Sequence, residues 1–173
     1  MLRSFLTLLV ITLLSACSSP IANKNPINQT FPEVLGENLK EQKVVIPNEL
    51  EGQARLLLIG YVQDAQFDID RWLIGLDMTK TAVTAYEIPT IEGMVPRMFE
   101  RFINNGMRAG IPKNLWGGVI TVYQGAEKIT NLTGTENPNN ARVLLLDEDG
   151  KIIFFYDQGF AVEPLNNLRA LLR

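Results

Sequence analysis

The stretch Arg142-Val143-Leu144-Leu145-Leu146-Asp147-Glu148-Asp149-Gly150-Lys151-Ile152-Ile153-Phe154-Phe155-Tyr156 decides the fold. Four apolar residues in a row follow Arg142, the pattern of a strand covered on both faces. Asp147-Glu148-Asp149-Gly150 gathers turn formers, and Lys151 to Tyr156 supplies a returning strand, so the stretch reads as a β-hairpin. The turn acids lack the spacing and the twelfth-position Glu of an EF-hand, which makes them a charged turn and not a cation loop. Beyond the hairpin, Glu163 to Leu172 places Leu165, Leu168 and Leu172 on one face of a closing helix.

Working upstream, strands and helices alternate. Ala54 to Val62 (ARLLLIGYV) is an almost continuous apolar run and reads as a central strand. Asp64 to Met78 carries Ile69, Trp72, Leu73 and Leu76 at helical spacing, with Asp64 at the helix start, where an acid is stabilising. Thr81 to Ile88 is β-branched and aromatic and ends at Pro89, as a strand does. Val95 to Asn105 puts Val95, Met98, Phe99, Phe102 and Ile103 on one helical face, with Pro96 in the first turn and Gly106 at the end. Lys43 to Ile46 and Val119 to Tyr123 are further short strands. This order gives an α/β domain with a mixed sheet. Leu56, Leu58, Ile59, Leu144 and Leu146 form its expected core, and Met98 and Trp116 are expected to pack inside.

The 173 residues are 46% hydrophobic and 20% charged with a net charge of −3, which fits one globular domain and excludes a disordered chain. The mild acidity gives no basic face for nucleic acid. The chain holds no His and one Cys, Cys17. That inventory removes Ser-His-Asp and Cys-His catalysis, zinc sites of His or Cys type and soft-ligand copper sites. Neither a Walker A nor a G-x-G-x-x-G motif is present. No cofactor is expected.

The hairpin followed by Gly159 and a Leu-rich helix, the entry segment Phe31-Pro32-x-x-x-Gly36, and the strand–helix unit from Ala54 together resemble the thioredoxin-like superfamily, its peroxiredoxin-like and thiol-reductase-like members above all. The resemblance covers residues 31–173 and implies a three-layer α/β/α fold with a mixed central sheet. Redox members keep a Cys-x-x-Cys or a single reactive Cys where that strand meets that helix; here the turn reads Val62-Gln63-Asp64-Ala65-Gln66. Thiol–disulfide exchange needs a thiolate, so redox chemistry does not carry over. The family's cis-Pro would fall at Ala141, where a trans bond is expected because a cis bond is inexpensive only before proline. A fainter likeness connects the entry segment and the strand–helix unit to the mitochondrial assembly factor for the membrane sector of ATP synthase.

The first residues read as an address. Met1 to Arg3 carries one positive charge and Phe5 to Leu14 is a ten-residue apolar run. At about 1.5 Å per residue such a run is too short for a hydrocarbon core of about 30 Å, but it suits a signal peptide. Leu14-Ser15-Ala16-Cys17 then resembles the lipobox of bacterial lipoproteins. The resemblance implies a signal peptide over residues 1–16, acylation of Cys17 (palmitate or a similar chain), attachment to the lipid bilayer and, because Ser18 and not Asp follows, the outer membrane facing the periplasm. Each buried methylene contributes about 0.8 kcal/mol, so two or more chains hold a protein stably. Residues 18–30, polar with Pro20 and Pro26, read as a flexible tether.

Loss of the thiols leaves a recognition surface as the expected role. Gln63, Asp64 and Gln66 at the strand–helix turn, Asn139 and Asn140 before the hairpin, and Met94 in the loop from Pro89 to Pro96 are expected to converge. A helix start offers unpaired N–H groups and a positive end there. Arg97 and Arg101, one turn apart, are candidates for an acidic partner or anionic lipid heads. The partner is expected to be an envelope protein. The alternative is an enzyme using carboxylates such as Asp64, Asp68 and Asp70, or a small-molecule binder.

Overall fold

The computed structural model describes residues 20–172. Its elements are β1 (Val34–Asn38), β2 (Lys43–Ile46), β3 (Arg55–Gly60), α1 (Gln66–Met78), β4 (Thr84–Pro89), α2 (Met94–Met98), α3 (Glu100–Gly110), β5 (Ile120–Gln124), α4 (Ala126–Thr133), β6 (Arg142–Leu146), β7 (Ile152–Tyr156) and α5 (Val162–Ala170). One sheet runs β4-β3-β6-β7 and another runs β2-β1-β5. β3 is parallel to β4 and antiparallel to β6, which pairs antiparallel with β7. Parallel bridges Glu87↔Val119 and Thr90↔Val122 join β4 to β5, so the two sheets continue into one another.

The layers follow from the two-residue period of the strands. Leu57, Ile59, Leu144 and Leu146 point to one face and pack with Ile88, Val122 and Ile129 of α4. Leu56, Leu58, Val143 and Leu145 point to the other, against Ile69, Trp72 and Leu76 of α1 and Leu165 and Leu168 of α5. This is the three-layer α/β/α arrangement expected from the sequence. Leu56, Leu58, Ile59, Leu144 and Leu146 are each fully buried. Trp72 is buried too, with its ring edge-on to Tyr156 and Phe160 at centroid distances of 6.0 and 5.5 Å. The peptide bond before Ala141 is trans; the cis bond among the described residues is Ile46–Pro47.

Four expectations require correction. Residues 18–30, expected as a tether, are laid onto the domain from Ile21 onward: Lys24 N donates to Thr133 O at 3.0 Å, Thr135 N to Ile21 O at 2.8 Å and Asn28 N to Ile152 O at 2.9 Å. A segment rich in Asn and Pro can still satisfy its backbone by such distant pairings, which leave no local sequence signature. Gly134, with φ of 79°, permits the crossing, since a Cβ there would lie 2.4 Å from Ala22 O. The helix expected over Val95 to Asn105 is broken at Phe99 (φ −108°, ψ 15°) into α2 and α3.

Of the face expected to be buried on that helix, Ile103 is half-buried and Met98, Phe99 and Phe102 are outside. Met98 is 80% exposed, Phe102 78% and Phe99 57%. Toward the domain α3 turns polar residues along with half-buried Ile103 and Met107: buried Asn104 accepts from Tyr123 Oη at 3.3 Å, and Arg108 Nε donates to Leu39 O at 2.8 Å. Trp116, expected in the core, is half-buried and donates from Nε1 to Ile111 O at 2.9 Å. Leader residues 1–16, Cys17 and Ser18 lie outside the described residues.

Leu58 sits between α1 and α5 on a central strand, so Leu58→Ala should cost roughly 2–5 kcal/mol of unfolding free energy. Chemical denaturation checks this; a loss under about 1 kcal/mol, typical of surface sites, would contradict the packing described.

Candidate functional site

Because β3 and β4 are parallel, their C-terminal ends emerge together, and β6, antiparallel to β3, starts beside them with Arg142 opposite Ile59. Open α/β sheets place ligands at such ends. Thr90 N donates to Gly60 O at 2.8 Å and Ile91 N to Val122 O at 2.9 Å, which fixes the loop after β4 against the sheet end. The result is a groove of about 740 Å³. Its walls are Tyr61 and Val62 after β3, Thr90 to Glu92 after β4, Pro96 of α2, Thr130 of α4, and residues 135–138, with Pro20 and Ile21 along one rim.

Most polar groups in the groove are already paired. Tyr61 Oη and Thr133 Oγ1 are 2.5 Å apart, Thr130 Oγ1 donates to Glu92 Oε1 at 2.8 Å, and Ile21 N donates to Thr135 Oγ1 at 2.8 Å. Burial pushes the Tyr61 phenol up to about 12, with the Thr133 hydrogen bond acting in the opposite direction. The groove therefore offers shape, apolar contact from Val62, Ile91, Pro96 and Pro138, and few polar atoms aimed at its centre.

The loop from Gly134 to Ala141 is held by Arg142, which is fully buried. Its Nη1 donates to Asn137 O at 3.0 Å and Asn140 O at 2.8 Å; its Nη2 donates to Asn23 Oδ1 at 3.1 Å, Gly134 O at 3.4 Å and Glu136 O. The guanidinium also lies 5.3 Å from the Tyr61 ring centroid, a cation–π contact. Burial lowers the Arg142 pKa, while Tyr61, Asp157 and Glu136 oppose that shift. A planar guanidinium suits this task, since its two terminal nitrogens reach five acceptors at once, while its Nε is buried without a partner. Arg142 reads in the sequence only as the first residue of a strand. A cation opening an apolar run was the one available signal.

Asp68 does similar work from α1. It is buried, its Oδ2 accepts from Ala141 N at 2.9 Å and its Oδ1 from Phe160 N at 2.6 Å. Both oxygens are thus bound to backbone amides, and the carboxylate pins the start of β6 and the segment before α5 to α1. Asp64 and Asp70 are exposed, and Asp70 accepts from Gln66 Nε2 at 2.9 Å.

The other sequence-derived candidates divide. The loop from Pro89 to Pro96 lines the groove, but residues 63–66 and 139–141 do not; their neighbours Tyr61, Val62 and residues 135–138 form its walls instead. Gln63 and Asn139 are exposed. Gln66 turns toward β4, donating to Glu87 Oε2 at 3.0 Å, and Asn140 Nδ2 donates to Asp157 O at 3.0 Å. Burial raises the Glu87 pKa, and the Gln66 hydrogen bond partly offsets it. Arg97 and Arg101 line a separate cleft of about 340 Å³ with Glu37, Lys43, Thr121 and Tyr123, and Met94 is 84% exposed. Val62 and Phe67, 43% and 70% exposed, form the apolar surface flanking Gln63 to Gln66.

No protein-family model and no curated protein matches the sequence. Solved structures do match. The thioredoxin domain of a thiol-disulfide oxidoreductase from Bacteroides vulgatus aligns at TM-score 0.51 and 14% identity over 87% of this chain and 100% of that one. The pneumococcal exposed lipoprotein thioredoxin of Streptococcus pneumoniae aligns at 0.54 and 7%, over 82% and 100%. The copper-bound ScoI of Arabidopsis thaliana aligns at 0.52 and 12%, over 82% and 96%. The chain has a thioredoxin-like fold, and at these identities the likeness is one of fold.

Replacing Arg142 by Met should take the shared donor away from Glu136 O, Asn140 O and Asn23 Oδ1, at about 1–3 kcal/mol for each group left unsatisfied. We expect an overall loss of about 3–5 kcal/mol and, by hydrogen exchange, loss of protection at Lys24 and Thr135 first. A variant within about 1 kcal/mol of the parent would contradict the role assigned to the guanidinium.

Proposed function

We propose that the protein is a membrane-anchored, non-redox thioredoxin-like lipoprotein of the bacterial envelope that binds a protein partner as an assembly or accessory module. The observation that carries this reading is the placement of cysteine. The turn from β3 into α1 is Val62-Gln63-Asp64-Ala65-Gln66, and the one Cys of the whole sequence is Cys17, within Leu14-Ser15-Ala16-Cys17. A thiol converted to a thioether is no nucleophile, so the chain has no group for thiol exchange. The groove supports protein contact, because its mouth is apolar at Val62 and Ile91 while its hydroxyls and carboxylates are mostly engaged with one another. Acylation of Cys17, the outer membrane and the periplasmic side follow from the lipobox and Ser18.

Cys17→Ala in the full chain should abolish the acyl mass and leave unprocessed precursor or a domain released from membranes. A variant that is processed normally, keeps the acylated mass and fractionates with membranes would overturn the anchor.

A further inference from the structure

Helices α2 and α3 half-bury Ile103 and Met107 but leave other large apolar side chains outside. Asn104 is buried against the sheet, whereas Met94, Met98, Phe99 and Phe102 are exposed by 84, 80, 57 and 78%. Met94 and Met98 lie on α2 and Phe102 on α3, with Phe99 at the break between them, so the exposed apolar residues string along both short helices. Clustered exposed apolar side chains of this size mark a contact surface.

Two further observations say what covers it. The first is the reach of the chain. Ile21 is bonded to Thr135 and Glu136, so only Ser18, Ser19 and Pro20 separate it from Cys17. Four residue steps span at most about 14 Å. An acylated Cys17 therefore holds the Ile21 end of the domain against the bilayer. Ile21 and Pro96 border the same groove, and Pro96 lies within α2, so the exposed residues begin at that end. The second is charge. Arg97 and Arg101, next in sequence to Met98 and Phe102, are exposed at the rim of the cleft they share with Glu37 and Glu100, and make no ion pair among the described residues. Apolar residues flanked by arginines are the composition of a helix lying in the headgroup layer of an anionic membrane.

We infer that the α2–α3 face, through Met94, Met98, Phe99 and Phe102 with Arg97 and Arg101, lies in the surface of the membrane that carries the anchor. This rests on the anchored reading of Cys17 and adds an orientation to it: the domain stands on α2–α3, with the groove opening beside the lipid.

Acylation leaves the chain without a thiol, so single cysteines can be labelled selectively. The full acylated protein carrying Met98→Cys, Phe102→Cys or, as an exposed reference, Glu148→Cys would bear an environment-sensitive fluorophore and be reconstituted in phosphatidylethanolamine–phosphatidylglycerol vesicles. Positions 98 and 102 should brighten several-fold and be quenched by nitroxide lipid, while position 148 stays water-exposed. Anchored protein with all three positions equally exposed overturns the inference and leaves the anchor standing. Shielding of 98 and 102 only in native membranes and not in pure lipid assigns the face to a protein and likewise overturns it. A chain whose mass shows no acyl group overturns the anchor and, with it, the geometry used here.

Discussion

The buried guanidinium of Arg142 is the contact on which the functional end of the molecule depends. It meets backbone carbonyls of Gly134, Glu136, Asn137 and Asn140 and the side chain of Asn23, and so ties β6, the loop before it and the N-terminal segment into one body. A cation in such a place is tolerated because its terminal nitrogens are hydrogen-bonded to several acceptors and the group lies over the Tyr61 ring. Asp68 completes the frame from the other face of the sheet by accepting from Ala141 N and Phe160 N. Two charged side chains thus supply fixed polar partners to a loop that has no regular structure of its own.

The ends of β3 and β4, the start of β6 and the loop after β4 converge around the groove, and the sequence has no cysteine there. With its inner polar atoms mostly paired to one another, the corner has more to offer an apolar or backbone contact than a reacting group. The thioredoxin-like neighbours establish the architecture; the work done at this corner follows from the residues this chain has there.

The central sheet was legible because Leu56 to Ile59 and Val143 to Leu146 are unbroken apolar runs, and the hairpin because Asp147 to Gly150 leaves little choice but a turn. β1 was less visible, since Val34 to Asn38 contains Gly36 and Asn38. α4 was missed because Ala126 to Thr133 is short and rich in β-branched residues and polar groups. The exposed residues of α2 and α3 show a different limit. Periodicity marked Met98 and Phe102 as apolar helical positions, but a pattern shows neither the break at Phe99 nor whether such residues meet the protein's own core or something outside it. The amides of Gln66 and Asn140 were near the right loops and pointed elsewhere, because nearby acceptors on Glu87 and Asp157 captured them. The contacts of Ile21 to Asn28 had no local signal at all, being set by partners more than a hundred residues away.

The most direct test of the central claim, that this corner recognises a protein and performs no redox chemistry, is site-specific photocrosslinking in intact cells from position 91, on the groove wall. The account predicts a discrete adduct with one envelope protein, lost when Val62 is also changed to Asp and absent when the crosslinker stands at position 148. Crosslinking from position 91 that is indistinguishable from position 148, or that is unaffected by the charge at position 62, would contradict it.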